Sequence, residues 1–181
     1  LKTRRRGILR LFLVPIGLAG AAVLGFAIWL WWPDANALTG AAARGDLEGV
    51  RWCLRFGVDA NAPSRWGWRH ENEGQTPLTA AAQHGRTEVV RLLLREGADP
   101  NLRDFGSDHP HETPLSTAAM HGQLEVCRIL LEAGADPNVP TNPEQPGDPG
   151  NWTALDWALQ ANHPAVADLL RKNGARESGA R

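Results

Sequence analysis

Apolar residues recur along this chain in four stretches of the same internal order. Each stretch opens on small residues, passes a glycine, and enters a segment whose large aliphatics fall three or four positions apart, the spacing of one helix face. Val90, Leu92, Leu93 and Leu94 make one such stripe, and Val126, Ile129, Leu130 and Leu131 another. The small-residue runs Ala80-Ala81-Ala82 and Ala118-Ala119 precede them and predict short helices that pack backbone-close. Thr76, Thr113 and Thr153 stand where a side-chain oxygen would cap those helices. Pro77 and Pro114 follow at the first helical position, where a missing N–H does no harm. Gly45, Gly85 and Gly122 end the helix in a left-handed conformation, with Asn162 in that place in the fourth stretch. A Gly-Ala-Asp-Pro-Asn sequence turns the chain out of the second helix at 97–101 and again at 134–138.

Aligned, the stretches are 37–61, 76–101, 113–138 and 153–176, and their closing glycines, Gly57, Gly97, Gly134 and Gly174, are spaced 40, 37 and 40 apart. The Thr-Pro-Leu opening, the paired alanines, the glycine, the Val-Leu-Leu-Leu helix and the Gly-Ala-Asp-Pro-Asn close resemble the ankyrin repeat family. The second and third stretches match nearly throughout. The family's histidine after Pro-Leu is replaced by Thr79, Ser116 and Asp156, so shorter groups take its local hydrogen-bonding role. The first stretch lacks Thr-Pro, and the fourth has Ala154 for proline and no Asp-Pro turn, as terminal repeats facing water on one side do. The resemblance implies an all-α fold: an ankyrin-repeat solenoid of four helix-turn-helix repeats, here preceded by one N-terminal transmembrane helix. The repeats are expected at about 34–61, 74–101, 111–138 and 151–176 of a domain spanning 34–176, with a short tail at 177–181. A family repeat of about 33 residues leaves insertions of roughly 4 to 7 residues per repeat, which lengthen the finger loops between them.

Residues 11–32 form a 22-residue run without a charge. As a helix it would be about 33 Å long, enough to cross a bilayer core. Trp29, Trp31 and Trp32 cluster at its far end, as interfacial aromatics do. The tail at 1–10 carries Lys2, Arg4, Arg5, Arg6 and Arg10, and the next base is Arg44. That asymmetry predicts a cytoplasmic N-terminus and an extracytoplasmic repeat domain, periplasmic in a Gram-negative cell, held on an inner or plasma membrane. Ala35-Asn36-Ala37 has the form of a signal-peptide cleavage site, but the run exceeds a signal core and cleavage there would cut into the first repeat. A retained anchor is favoured.

Charge narrows the function. The net charge is −1, but five of the 19 bases and none of the 20 acids precede residue 33, which leaves the remainder at −6. Such a domain is a poor nucleic-acid binder, since Lys and Arg contacts to phosphate supply most of that affinity. Lys2 and Lys172 are the only lysines, which excludes a phosphate loop ending in Gly-Lys. Few lysines and many Ala, Gly and Arg suggest a GC-rich bacterial source. Cys53 and Cys127 fall at core positions of the repeat and are expected as buried free thiols. No Gly-x-Ser-x-Gly, Cys-x-x-Cys or His-Glu-x-x-His occurs, and no enzymatic activity, cofactor or metal is expected.

The expected function is protein binding through the finger loops and the concave helix face. The candidate residues in the fingers are Trp66, Trp68, Arg69, Phe105 and Trp152, with Trp157 on the inner side of the fourth repeat. Trp and Arg are favoured interface anchors, although the same rings can fold back to brace a long finger. Arg44, His84 and His121 occupy equivalent positions just before the helix-ending glycine and form a ladder across neighbouring repeats. Two alternatives stand beside this reading. One is a metal-binding or catalytic accessory using His70, His109 and His111; the other is a periplasmic neutraliser of a toxin or enzyme.

Overall fold

Asp34 opens the first helix: its carboxylate accepts from the Ala37 amide at 2.8 Å and starts α1 (Ala35–Arg44). The computed structural model describes residues 34–64, 74–104, 112–141 and 152–178. In the later repeats α3 (Pro77–Gln83), α5 (Pro114–Met120) and α7 (Ala154–Gln160) begin at Thr76, Thr113 and Thr153. Each threonine hydroxyl accepts from the amide three residues on. At Thr113 and Thr153 the bond is returned, because Ser116 Oγ and Asp156 Oδ2 accept from the capping residue's own amide at 2.9 and 2.7 Å. Ser116 and Asp156, with Thr79 bonded to the Thr76 hydroxyl at 2.9 Å, thus hold the caps as their place in the repeat predicts.

A tight left-handed turn leads from each first helix into a second one of nine residues: α2 (Leu47–Arg55), α4 (Thr87–Arg95), α6 (Leu124–Glu132) and α8 (Pro164–Lys172). Among the described residues the fold is all-helical. The first helices of the repeats pack in series, α1 on α3, α3 on α5 and α5 on α7, and the second helices make another row, α2 on α4, α4 on α6 and α6 on α8. The core is a set of rungs. Leu38, Leu78, Leu115 and Leu155 occupy one register; Cys53, Leu93, Leu130 and Leu170 occupy another, all at 2% exposure or less. Cys53 and Cys127 are both buried and free, and burial raises both thiol pKa values, that of Cys127 to about 12. No helix among the described residues is long and apolar enough to cross a membrane; the run at 11–32 lies outside them.

The turn glycine meets two demands at once. Gly122 has φ +69°, and the His163 ring of the next repeat lies over it, so that a Cβ would stand 2.6 Å from Cε1. Asn162 makes the same turn at φ 58° in the fourth repeat, where no further described repeat stacks. This is why the last repeat tolerates a side chain that its neighbours exclude.

The closing asparagines fasten the repeats together. Asn61 donates from Nδ2 to the Gly97 carbonyl at 3.1 Å and accepts at Oδ1 from the Asp99 amide at 2.8 Å. Asn101 and Asn138 repeat this with Gly134 and Asp136, and with Gly174 and Arg176. Three residues after each asparagine the chain enters a finger, and a backbone bond pinches its base. Ser64 N donates to Gln75 O, Asp104 N to Glu112 O and Thr141 N to Trp152 O, each at 2.9 Å.

Candidate partner-binding surface

The left-handed turns place Arg44, His84 and His121 in one register, at the same end of α1, α3 and α5. All three are exposed. Arg86 stands behind them: its Nε donates to the Ala43 carbonyl at 3.0 Å, fixing the guanidinium across the first two repeats. Beside Arg44 and Arg86 a groove of about 310 Å³ opens between those repeats, floored by Leu47 and Val89 and bordered by Thr87 and Glu88. His121 holds its ring through Nδ1 on the Thr117 carbonyl at 2.9 Å. The His84 imidazole is pushed below its ordinary pKa by partial burial, then by Arg86 and by His121. Arg44 in the row and Arg86 behind it therefore present two guanidiniums, and His84 adds charge only on acidification below its ordinary range.

The inner helices themselves offer little surface in the middle repeats. α3 is buried from Pro77 to Ala82 and α5 from Pro114 to Ala119. Ala80 and Thr117, which share a register with Trp157, are 0% and 2% exposed. What remains open on that side is the last turn, where His84 and His121 lie.

Trp157 is half-buried and meets Trp152 edge-on, ring centroids 4.6 Å apart at 70°. Trp152 is half-buried too, and its carbonyl closes the base of its finger. The structure thus brings these two candidates together at the root of the last finger. Trp66, Trp68, Arg69 and Phe105 lie outside the described residues, as do His70, His109 and His111. No group of three His, Cys, Asp or Glu side chains suited to a metal ion occurs among the described residues.

One residue of this region has no forerunner in the sequence reading. Asp104, 3% exposed, enters the base of the second finger and accepts from the Thr76 amide at 2.9 Å. Burial drives its carboxyl pKa up to about 7; the bonds from Thr76 and Thr79 oppose the rise, and the nearby Glu112 charge adds to it. Glu112 is itself buried and accepts from Thr117 Oγ1 at 2.9 Å. The signal that could have found Asp104 is its register: Ser64 and Thr141 stand at the same step after the closing asparagine and are also buried.

Comparison with known families agrees with this geometry. The model of the family described as ankyrin repeats (three copies) matches residues 32–104 and again 105–178. The chain belongs to the ankyrin repeat family. No match was found among the curated proteins. Ankyrin repeats generally mediate protein–protein interaction and are typically non-enzymatic.

Proposed function

We propose that the chain is a protein-binding module anchored in a membrane by residues 11–32, with its repeats outside the cytoplasm. The row Arg44, His84 and His121 and the finger residues Trp66, Trp68, Arg69 and Phe105 form the gripping surface, extended by Trp152 and Trp157. The observation that carries the site is the exposed row in one register beside a groove with two arginines. Its charge suits an acidic segment of a partner protein, a contrast with the net negative charge of the domain.

Two observations support the anchor. The 22-residue run has five bases before it and none between it and Arg44. Asp34 caps α1, so processing after Ala37 would remove the cap and break the first helix.

The test has two parts. A reporter active only outside the cytoplasm, fused after Arg181, is expected to work; activity of a cytoplasm-only reporter at that position would overturn the location. Affinity capture from the native membrane, with the whole chain as bait, is expected to retain a partner that the variant Arg44→Ala/His84→Ala/His121→Ala loses. Undiminished capture by a folded triple variant would remove the row from the site.

A further inference from the structure

The three finger bases are built alike, but one differs in chemistry. The residues paired across them are Ser64 with Gln75, Asp104 with Glu112, and Thr141 with Trp152. The first and third pairs are uncharged. Each has a further bond: Gly74 N donates to Ser64 O at 3.1 Å, and Trp152 N to Thr141 Oγ1 at 3.2 Å. The second pair is two carboxylic acids, both buried.

The Asp104 carboxyl is also part of a helix cap. In the third and fourth repeats the amide of the capping threonine donates to a residue of its own helix, Ser116 or Asp156. In the second repeat that amide, of Thr76, donates instead to Asp104 Oδ1. The cap of α3 is therefore completed by a residue of the finger base, so pinching the finger and capping the helix are one event here.

The surroundings of this carboxyl set what its ionisation does. α3 presents the Thr76 amide and the Thr79 hydroxyl, both bonded to it. The returning arm of the finger presents Glu112, whose charge acts on Asp104. α5 presents Thr117, whose hydroxyl donates to Glu112, while Thr113 and Ser116 bond to each other. Arg103, next in the chain, does not pair with Asp104, and neither does any other base among the described residues. An ionised Asp104 thus sits in a dry site beside a second acid with no counter-ion of its own, whereas the neutral acid escapes that cost. Opening the pinch gives the carboxylate to water.

We propose that the Asp104–Glu112 pinch is a pH-operated latch, closed on α3 while Asp104 is protonated and opened by its ionisation, with the pinches at Ser64 and Thr141 as fixed closures. The closed latch keeps its proton up to about pH 7, against the ordinary 3.8. A hydrated Asp104 ionises near the ordinary value, so opening releases a proton between the two. The opening equilibrium then rises by up to about tenfold per pH unit and levels off above neutrality. Phe105 follows Asp104 directly in the chain, so a partner contact made by it would share this pH dependence; that consequence alone rests on the proposed function.

The test uses the full chain in detergent micelles and nuclear magnetic resonance between pH 3 and 8. The carboxyl carbon of Asp104 reports its ionisation. Hydrogen exchange of the Asp104 amide, the pinch donor, reports opening, and the Ser64 and Thr141 amides are matched controls. Base catalysis accelerates all three alike, so the ratio of the Asp104 rate to the controls is the measure. That ratio is expected to rise about tenfold or more from pH 5 to pH 7, in step with the carboxyl titration. It should be flat in Asp104→Asn. In Glu112→Gln, which removes the neighbouring charge, titration and acceleration should move together to lower pH. A native carboxyl that titrates near 3.8 overturns the latch. A carboxyl that titrates near neutrality with a flat ratio overturns it too, because the pinch then holds the charge closed. A rise that persists in Asp104→Asn assigns the opening to another group and also overturns it.

Discussion

Asn101 donates from Nδ2 to the carbonyl of Gly134, at 3.3 Å, across the boundary between the second and third repeats. The same carboxamide accepts from the Asp136 amide at 2.8 Å, so both of its ends are engaged by the next repeat. Asn101→Ala removes both bonds, and each is worth about 0.5–1.5 kcal/mol net. Because coupling between repeats is largely a nearest-neighbour affair, the unfolding transition should also broaden. Urea titration checks both effects; an unchanged midpoint and slope would show that water replaces the carboxamide without loss.

Asp104 predicts a pH signature. In the folded chain its carboxyl keeps its proton up to about pH 7, whereas in the unfolded chain it loses it near the ordinary 3.8. The group therefore contributes most below that lower value, and its contribution falls as pH rises to about 7 and is then constant. Asp104→Asn, which keeps an acceptor for the Thr76 amide, should stabilise the protein above neutrality by roughly 1–4 kcal/mol and have little effect near pH 4. The difference in denaturation midpoint between variant and native chain, followed across pH, measures this. A difference that does not change with pH would assign the effect to hydrogen bonding alone.

His84 opposes that trend at lower pH. Its depressed pKa means that the unfolded chain takes up a proton near 6.5 before the folded one does, so its contribution is lost as pH falls through that value. In a His84→Ala background the loss of stability on acidification should be smaller, read from the same titration.

Leu93 and Leu130 occupy one rung of the core at 0% exposure. Truncating either to alanine should cost about 2–5 kcal/mol. Gly122→Ala should cost more than Gly134→Ala, because both have positive φ but only Gly122 has a side chain lying over it. In a His163→Ala background that difference should disappear. Calorimetric midpoints of the four proteins decide the point.

For the first finger, Trp66→Ala and Trp68→Ala separate two roles of its rings. If they grip the partner, affinity should fall about thirtyfold, or roughly 2 kcal/mol, with the melting temperature held. Lowered stability with unchanged affinity would leave them as braces.

The repeats were legible in the sequence because each helical feature is local. Thr113 precedes the residue whose amide it caps by three positions, and the glycine at 122 announces a turn made by its own backbone. The fastening of Asn101 to Gly134 was not legible as a bond, since its partner is another repeat and the sequence marks only a turn. Nothing in the repeat pattern singles out Asp104; its place at the pinch with Glu112 is a pairing across an insertion of no regular length. The inner helix face illustrates the same limit. Alignment set Trp157 beside Ala80 and Thr117, but not that the latter two are covered, which follows only once the helices are packed.

The pinched finger bases separate two kinds of constraint. The Asp104–Glu112 bond fixes where the chain leaves the helical stack and where it rejoins, whatever lies between. Lengthening a flexible loop between fixed ends costs only about 0.6 kcal/mol per doubling. The stack should therefore tolerate exchange of the sequence between Asp104 and Glu112, provided that these two closing residues are kept.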